Sequence, residues 1–280
     1  MKKILITTDF SENAWNAIFT ALKLYAKVDC HFYLLHAFEP SALNLMGSKS
    51  QQRLGAIYDS LSKYSKKEIK ETLSYLENNH KNPNHQFTSL SKSGNLENAV
   101  ETVINDNDID ILIMGTQGAT GAKEVFLGSN TVKVLKTIKH TPILTVPTGY
   151  NFQRLDSIFF ATDFTSPYKK SALEPILDLS ILWKASIEII HVAIEFNLNE
   201  NQESHKYALK ERLSEQDYKF TNIPFDFNIS KSINQYTEQN NSGILGIIRH
   251  QHTFWEKIIG ESVVNKIAFH SKIPVIFLPQ

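Results

Sequence analysis

Four glycines and serines at a fixed spacing are the residues of this chain best suited to chemistry. Gly115 and Gly118 stand three apart directly after the apolar run Ile111 to Met114, and nine residues later come Gly128, Ser129 and Asn130. A glycine at the end of a buried strand lets the chain turn and brings a ligand close to the backbone, which a Cβ would obstruct. The apolar positions Val132, Leu135 and Ile138 then recur at helical spacing, so a helix should begin near Ser129. Free N–H groups and the positive dipole end of such a helix attract phosphate, and the Ser129 hydroxyl adds a donor or caps the helix. Thr8 and Asp9 end another apolar run, Lys3 to Thr8, and Asp9 is an acceptor suited to an amino group or a ribose hydroxyl. Each residue alone also has a plain reading, in which glycines shape turns and Asp9 caps a helix. Taken together they point to a bound nucleotide.

The elements that must position these residues alternate. Lys3–Thr8 and Cys30–Phe38 read as buried strands. Ser11 is placed to cap a helix carrying Ala14, Trp15, Ile18, Ala21, Leu22 and Tyr25. An amphipathic helix follows from about Gln51 to Asn78, after an irregular segment, Pro40 to Ser50. A strand near Gln86–Ser91, a helix from Asn95 to Asn105, and the strand–loop–helix–strand segment Ile111–Val146 complete the unit. This order predicts a mostly parallel sheet with helices on both faces. Ligands of such sheets sit beyond the strand C-termini, where Asp9, His36, Ala37 and Gly115 should line one crevice.

The pattern then recurs. Phe159–Pro167 echoes Ile6–Asn13, with Asp163 answering Asp9, and Ile189–Glu195 echoes the segment around His36, with His191 in its place. Ile229–Asn234 (ISKSIN) echoes Leu90–Asn95 (LSKSGN), and Gly260 and Pro274 answer Gly128 and Pro142. The offset between copies falls from 154 at Asp9 to 132 at Gly128, so the second copy is shorter, mainly around its second helix. Two tandem domains are expected, 1–147 and 155–280, joined by the polar connection 148–154.

These motifs, TTDFSEN after the first strand, LLHA ending the second, and G-x2-G-x9-G-S with PILTVP closing the domain, resemble the universal stress protein family. The resemblance covers the whole chain and is eroded in the second half. It implies an α/β fold of two tandem domains, each with a five-stranded sheet (Rossmann-like, of the adenine nucleotide alpha hydrolase type). It also implies a stress-linked protein that binds ATP or AMP, with Mg2+ admitted as a companion of the phosphates. Carried over by position, Asp9, with Thr8 beside it, and Ala37 would meet the adenosine end, and Met114, Gly115 and Gly118 the ribose and phosphate. Gly128, Ser129 and Asn130 would hold phosphates. Domains of this family often pair through their last strands, which here are Ile143–Val146 and Val275–Leu278, so the second domain would substitute for a partner subunit, with homodimerisation left open.

Turnover should be slow or absent. The loop lacks the lysine of a P-loop; Lys123 in the spacer is within reach of a γ-phosphate but reads as a solvated loop lysine, and Glu124 is the nearest, weak candidate for a water-activating base. In the second copy, aligned on Gly260, Ile247 replaces Gly115, His250 replaces Gly118 and Glu261 replaces Ser129. A branched side chain and a carboxylate at the helix N-terminus should keep that site from binding ATP in the same manner. Arg249, His250 and His252 read as a basic loop, with an anion or metal site as the rival reading. An interaction scaffold without nucleotide and an adenylate-transferring enzyme are the competing functions.

Composition narrows the field. Lysine plus arginine equals aspartate plus glutamate at 29 each, so no global field draws in nucleic acid or an anionic membrane. Cys30 is the one cysteine, which excludes an intramolecular disulfide and fits a reducing compartment. The opening MKKILITTDF is too short in apolar residues for a signal peptide or a span, so a cytoplasmic protein is expected.

Overall fold

The computed structural model describes residues 1–40, 51–117, 127–193, 197–239, 243–249 and 271–279. Gly118, Lys123, Glu124, His250, His252, Gly260 and Glu261 lie outside the described residues, as does most of the Pro40–Ser50 segment. The chain divides into two compact units, one of residues 1–121 and 128–141, the other of 122–127 and 142–280.

In the first unit β1 (Lys2–Thr7) is buried from Ile4 to Thr7, because its apolar residues face helices on both sides of the sheet. Ser11 caps α1 (Glu12–Leu24) by accepting from the N–H of Ala14, and the buried stripe Ala14, Ala17, Ile18, Ala21, Leu22 holds that helix to the core. β2 (Cys30–Phe38) and β3 (His85–Ser93) flank α2 (Gln51–Asn79), a 29-residue helix. Only Ser65, Ile69, Thr72 and Leu76 of α2 are buried, one narrow stripe on its C-terminal half. α3 (Leu96–Asn107) leads to β4 (Ile111–Gly115), and α4 (Ser129–Thr137) follows. β1 pairs in parallel with β2 on one side and β4 on the other, and β2 pairs in parallel with β3. Strand order therefore reverses between β1 and β4, the place where an open α/β sheet forms its crevice.

The second unit contains β5 (Ile143–Val146), β6 (Ser157–Ala161), α5 (Lys170–Trp183), β7 (Ser186–Ala193), α6 (Glu200–Arg212), β8 (Tyr218–Pro224), α7 (Ile229–Glu238), β9 (Gly243–Ile248) and β10 (Val275–Leu278). Its strands run β10-β9-β6-β7-β8, all parallel, which repeats the order of the first copy. The shortening expected around the second helix is visible as 13 residues in α6 against 29 in α2. β5 lies antiparallel on β10, with Ile143 opposite Phe277 and Thr145 opposite Val275. The Thr145 hydroxyl adds a bond to the Val275 carbonyl. The strands Ile143–Val146 and Val275–Leu278 thus meet. Among the described residues no helix is long and apolar enough to cross a membrane.

Two details of the repeat differ from the sequence reading. The echo between Leu90–Asn95 and Ile229–Asn234 is not structural. Leu90 to Ser93 end a strand, whereas Ile229 opens a helix. The true counterparts are the caps Asn95 and Asn228, which accept from the N–H of Asn98 and Lys231; the short polar string merely recurs in another register. Pairing against the first strand of each copy corrects the second detail. Ile4 faces Ile111 and its counterpart Ile158 faces Ile244, so Gly115 corresponds to Ile248 and Met114 to Ile247. The alignment anchored on Gly260 is one residue out, because the stretches from these strands to Pro142 and to Pro274 differ in length by one.

A nucleotide-sized crevice at the switch point

The polypeptide leaves β1 through a tight turn. The Asp9 carboxylate accepts from both the N–H and the hydroxyl of Ser11, at 3.1 and 2.6 Å. Phe10 takes a φ of +64°, an unusual conformation for a bulky residue, and its N–H donates to the Thr8 hydroxyl at 3.0 Å. This conformation carries the Phe10 ring onto His36, 4.6 Å between centroids. The second copy repeats the device: Phe164 has a φ of +58°, its N–H donates to the Thr162 hydroxyl, and its ring lies 5.1 Å from His191. Nothing in the amino-acid sequence signals left-handed backbone at a phenylalanine.

His36 is fixed from behind. Its Nδ1 hydrogen-bonds the Ser65 hydroxyl of α2 at 2.7 Å, and Ser65 bonds Ser91 of β3 at the same distance. Burial lowers the His36 pKa, a shift that nearby Asp9 opposes without cancelling. The imidazole is therefore neutral near pH 7 and serves to tie α2 to the sheet, consistent with a role in shaping the crevice.

At the end of β4 the room that a Gly115 side chain would take belongs to Asn13. A Cβ there would lie 2.5 Å from Asn13 Oδ1 and 3.2 Å from the Asn13 carbonyl oxygen. Asn13, only 6% exposed, uses Oδ1 to accept from the N–H of Gln117 at 2.8 Å. Gly115 does not have a left-handed φ, so glycine is needed here for the approach of α1 rather than for a backbone angle. A branched residue can take the corresponding backbone angles: Ile248, the counterpart of Gly115, ends an ordinary strand. The Thr131 hydroxyl donates to the Gly115 carbonyl, and the Gly128 N–H to the Thr116 carbonyl, which closes the loop's two ends against each other.

Gly128, not Ser129, is the cap position of α4, and among the described residues no side chain caps that helix. Ser129 is its first residue. The helix thus presents its first N–H groups without a side-chain acceptor, the arrangement that suits an anion. Around it is a cavity of about 140 Å³. Thr8, Asp9, Ala37, Met114, Gly115, Gly128, Ser129 and Asn130 all border it, so every predicted site residue that is described comes to one place. Thr7, Ala14, His36, Leu96, Gln117 and Thr131 join them. No lysine or arginine does so among the described residues, and no described group of histidine, cysteine and acidic residues is arranged to hold a metal ion.

The equivalent place in the second unit is narrower among the described residues. Its cavity measures about 20 Å³, the scale of one water, with Val192 where the first copy has Ala37. Helix α6 lies over the turn: Gln202 donates to the Asp163 carbonyl and His205 Nδ1 to the Phe164 carbonyl, both at 2.9 Å. Asp163 is 9% exposed where Asp9 is exposed, and among the described residues its Oδ2 has no hydrogen-bond partner.

Comparison with known proteins agrees with this architecture. The crystal structure of a universal stress protein from Archaeoglobus fulgidus DSM 4304 matches with a TM-score of 0.65 at 16% identity, over 99% of this chain and 96% of that one. A functionally unknown protein from Pseudomonas aeruginosa PAO1 matches with a TM-score of 0.58 at 12% identity, over 100% and 92%. At such identities the likeness speaks for the fold. No curated protein matches the chain. The sequence model of the universal stress protein family matches residues 1–147, more than half of the chain. With the tandem α/β units and the repeated turn in place, that match makes the chain a member of the universal stress protein family.

Proposed function

We propose that the first unit binds an adenine nucleotide, ATP or AMP, as a regulatory ligand in a stress response, and that the second unit does not bind one in the same manner. The observation that carries this reading is the uncapped N-terminus of α4 opening onto the same cavity as Asp9 and Ala37. Phosphates would accept from the N–H groups of Ser129 and Asn130, beside Gly128, whose own N–H is held by the Thr116 carbonyl. Asp9, whose other contacts hold the turn, would accept from the ribose or base. The Ala37 backbone near the end of β2 would meet the base edge. Mg2+, where it accompanies a triphosphate, would be held mainly by the phosphates, since the described lining residues offer one carboxylate. No cationic side chain among the described lining residues faces the phosphate end, so charge on a transferring phosphoryl group gains little stabilisation and turnover is slow. Family membership supports the stress-linked role.

The decisive experiment is mass spectrometry of small molecules released when the purified protein is denatured, joined to thermal shifts with ATP and AMP. The expected result is retained adenine nucleotide, or a rise in Tm with either ligand that Ser129→Glu abolishes. Absence of both would overturn the reading. Steady-state release of ADP on the order of 1 s⁻¹ would overturn the non-enzymatic part of it.

A further inference from the structure

Next to the crevice at the switch point lies a second cavity of about 320 Å³, and the two share His36, Ala37, Leu96 and Asn130. The smaller one, about 140 Å³, falls below the roughly 300–1,000 Å³ that small-molecule sites occupy. A nucleotide therefore needs both. The larger cavity runs from the end of β2 towards the N-terminal half of α2, where Phe38, Leu61 and Tyr64 border it. Tyr64 is 53% exposed, and the Phe10 ring meets it edge-on at 6.2 Å. Phe10 is held there by its left-handed backbone and by its stacking on His36. In the second unit the counterpart Phe164 is buried among His191, Phe220 and Lys206, and the adjoining space is about 20 Å³. Among the described residues, then, the first copy alone keeps an aromatic face open beside a cavity continuous with the phosphate end.

We propose that the larger cavity is the base subsite, in which the flat purine ring passes Ala37 and packs on Tyr64 while ribose and phosphates stay against the N-terminus of α4. This rests on the nucleotide reading above and adds to it a binding residue on α2, an element outside the glycine motif. Stacking on an aromatic side chain is tolerant of base identity, so Tyr64 contributes affinity, and it does so only for ligands that carry a base.

The test uses the full-length protein, ATP, and the triphosphate of 2-aminopurine riboside, whose emission is quenched when its base stacks. Binding is measured by calorimetry and emission in parallel for the wild type, Tyr64→Phe and Tyr64→Leu. Tyr64 is half exposed on a helix, so both variants should fold. Expected are wild-type affinity and quenching in Tyr64→Phe, with about tenfold weaker ATP binding and loss of quenching in Tyr64→Leu. Unchanged affinity, or quenching that survives in Tyr64→Leu, overturns the base subsite and leaves nucleotide binding standing. A wild type that binds neither ligand overturns both.

Discussion

Gly115 and Asn13 are mutually exclusive in volume: a methyl group on the one would sit 2.5 Å from the side-chain oxygen of the other. The loop that follows β4 is hung from that same oxygen through Gln117. Gly115→Ala should therefore destabilise the first unit by about 1–3 kcal/mol, the usual cost of overpacking. Asn13→Ala should also destabilise it, but Gly115→Ala added to Asn13→Ala should cost much less than it does alone. Chemical denaturation of the four proteins in a double-mutant cycle checks this. Additive costs would mean that the Asn13 backbone, not its side chain, limits the site.

Acid should act on the first unit early. Burial lowers the pKa of His36, His85 and His31, against the pull of Asp9 on the first and the Tyr25 carbonyl on the second, and with the help of Lys3 on the third. Groups with lowered folded values leave the unfolded chain to take up protons first, near its ordinary 6.5. Stability is thus complete above that pH and falls as pH drops below it. Hydrogen exchange in β2 and β3, corrected for intrinsic rates, should show lower protection at pH 5.5 than at pH 7.5. His36→Gln should reduce the difference.

In the second unit Glu188 is the buried carboxylate to test. It is 5% exposed and accepts from Thr221 and Tyr236, both at 2.6 Å, and from Lys219 at 3.1 Å. Burial alone would raise its pKa, yet these three donors outweigh burial and hold it below the usual value. A depressed folded value stabilises above the unfolded value of about 4.5 and is lost as pH falls through the folded one. Glu188→Ala should cost about 1–3 kcal/mol at neutral pH. The gap from wild type should narrow in melts taken below pH 4.

Much of the fold was legible because its signals are local. Buried parallel strands read as continuous apolar runs, and Cys30–Phe38 was bounded correctly for that reason. The caps at Ser11 and the shortening of the second copy were legible in the same way. The eight described site residues converge as expected, since strand C-termini gather at one edge. What stayed hidden depends on contacts between distant residues. The fit of Asn13 against Gly115, the Ser91–Ser65–His36 chain and the left-handed Phe10 leave no trace in spacing. The false echo at Ile229 shows the converse, that six similar residues can form a strand end in one copy and a helix in the other.

The pairing of β5 with β10 has a practical corollary. By sequence β5 closes the first repeat, but it belongs to the second compact unit. The molecule cannot be cut cleanly where its repeats divide. A fragment ending at Thr148 would carry Ile143–Val146 away from Val275–Leu278 and leave two bare apolar edges, one on each piece, ready to pair with whatever strand they meet.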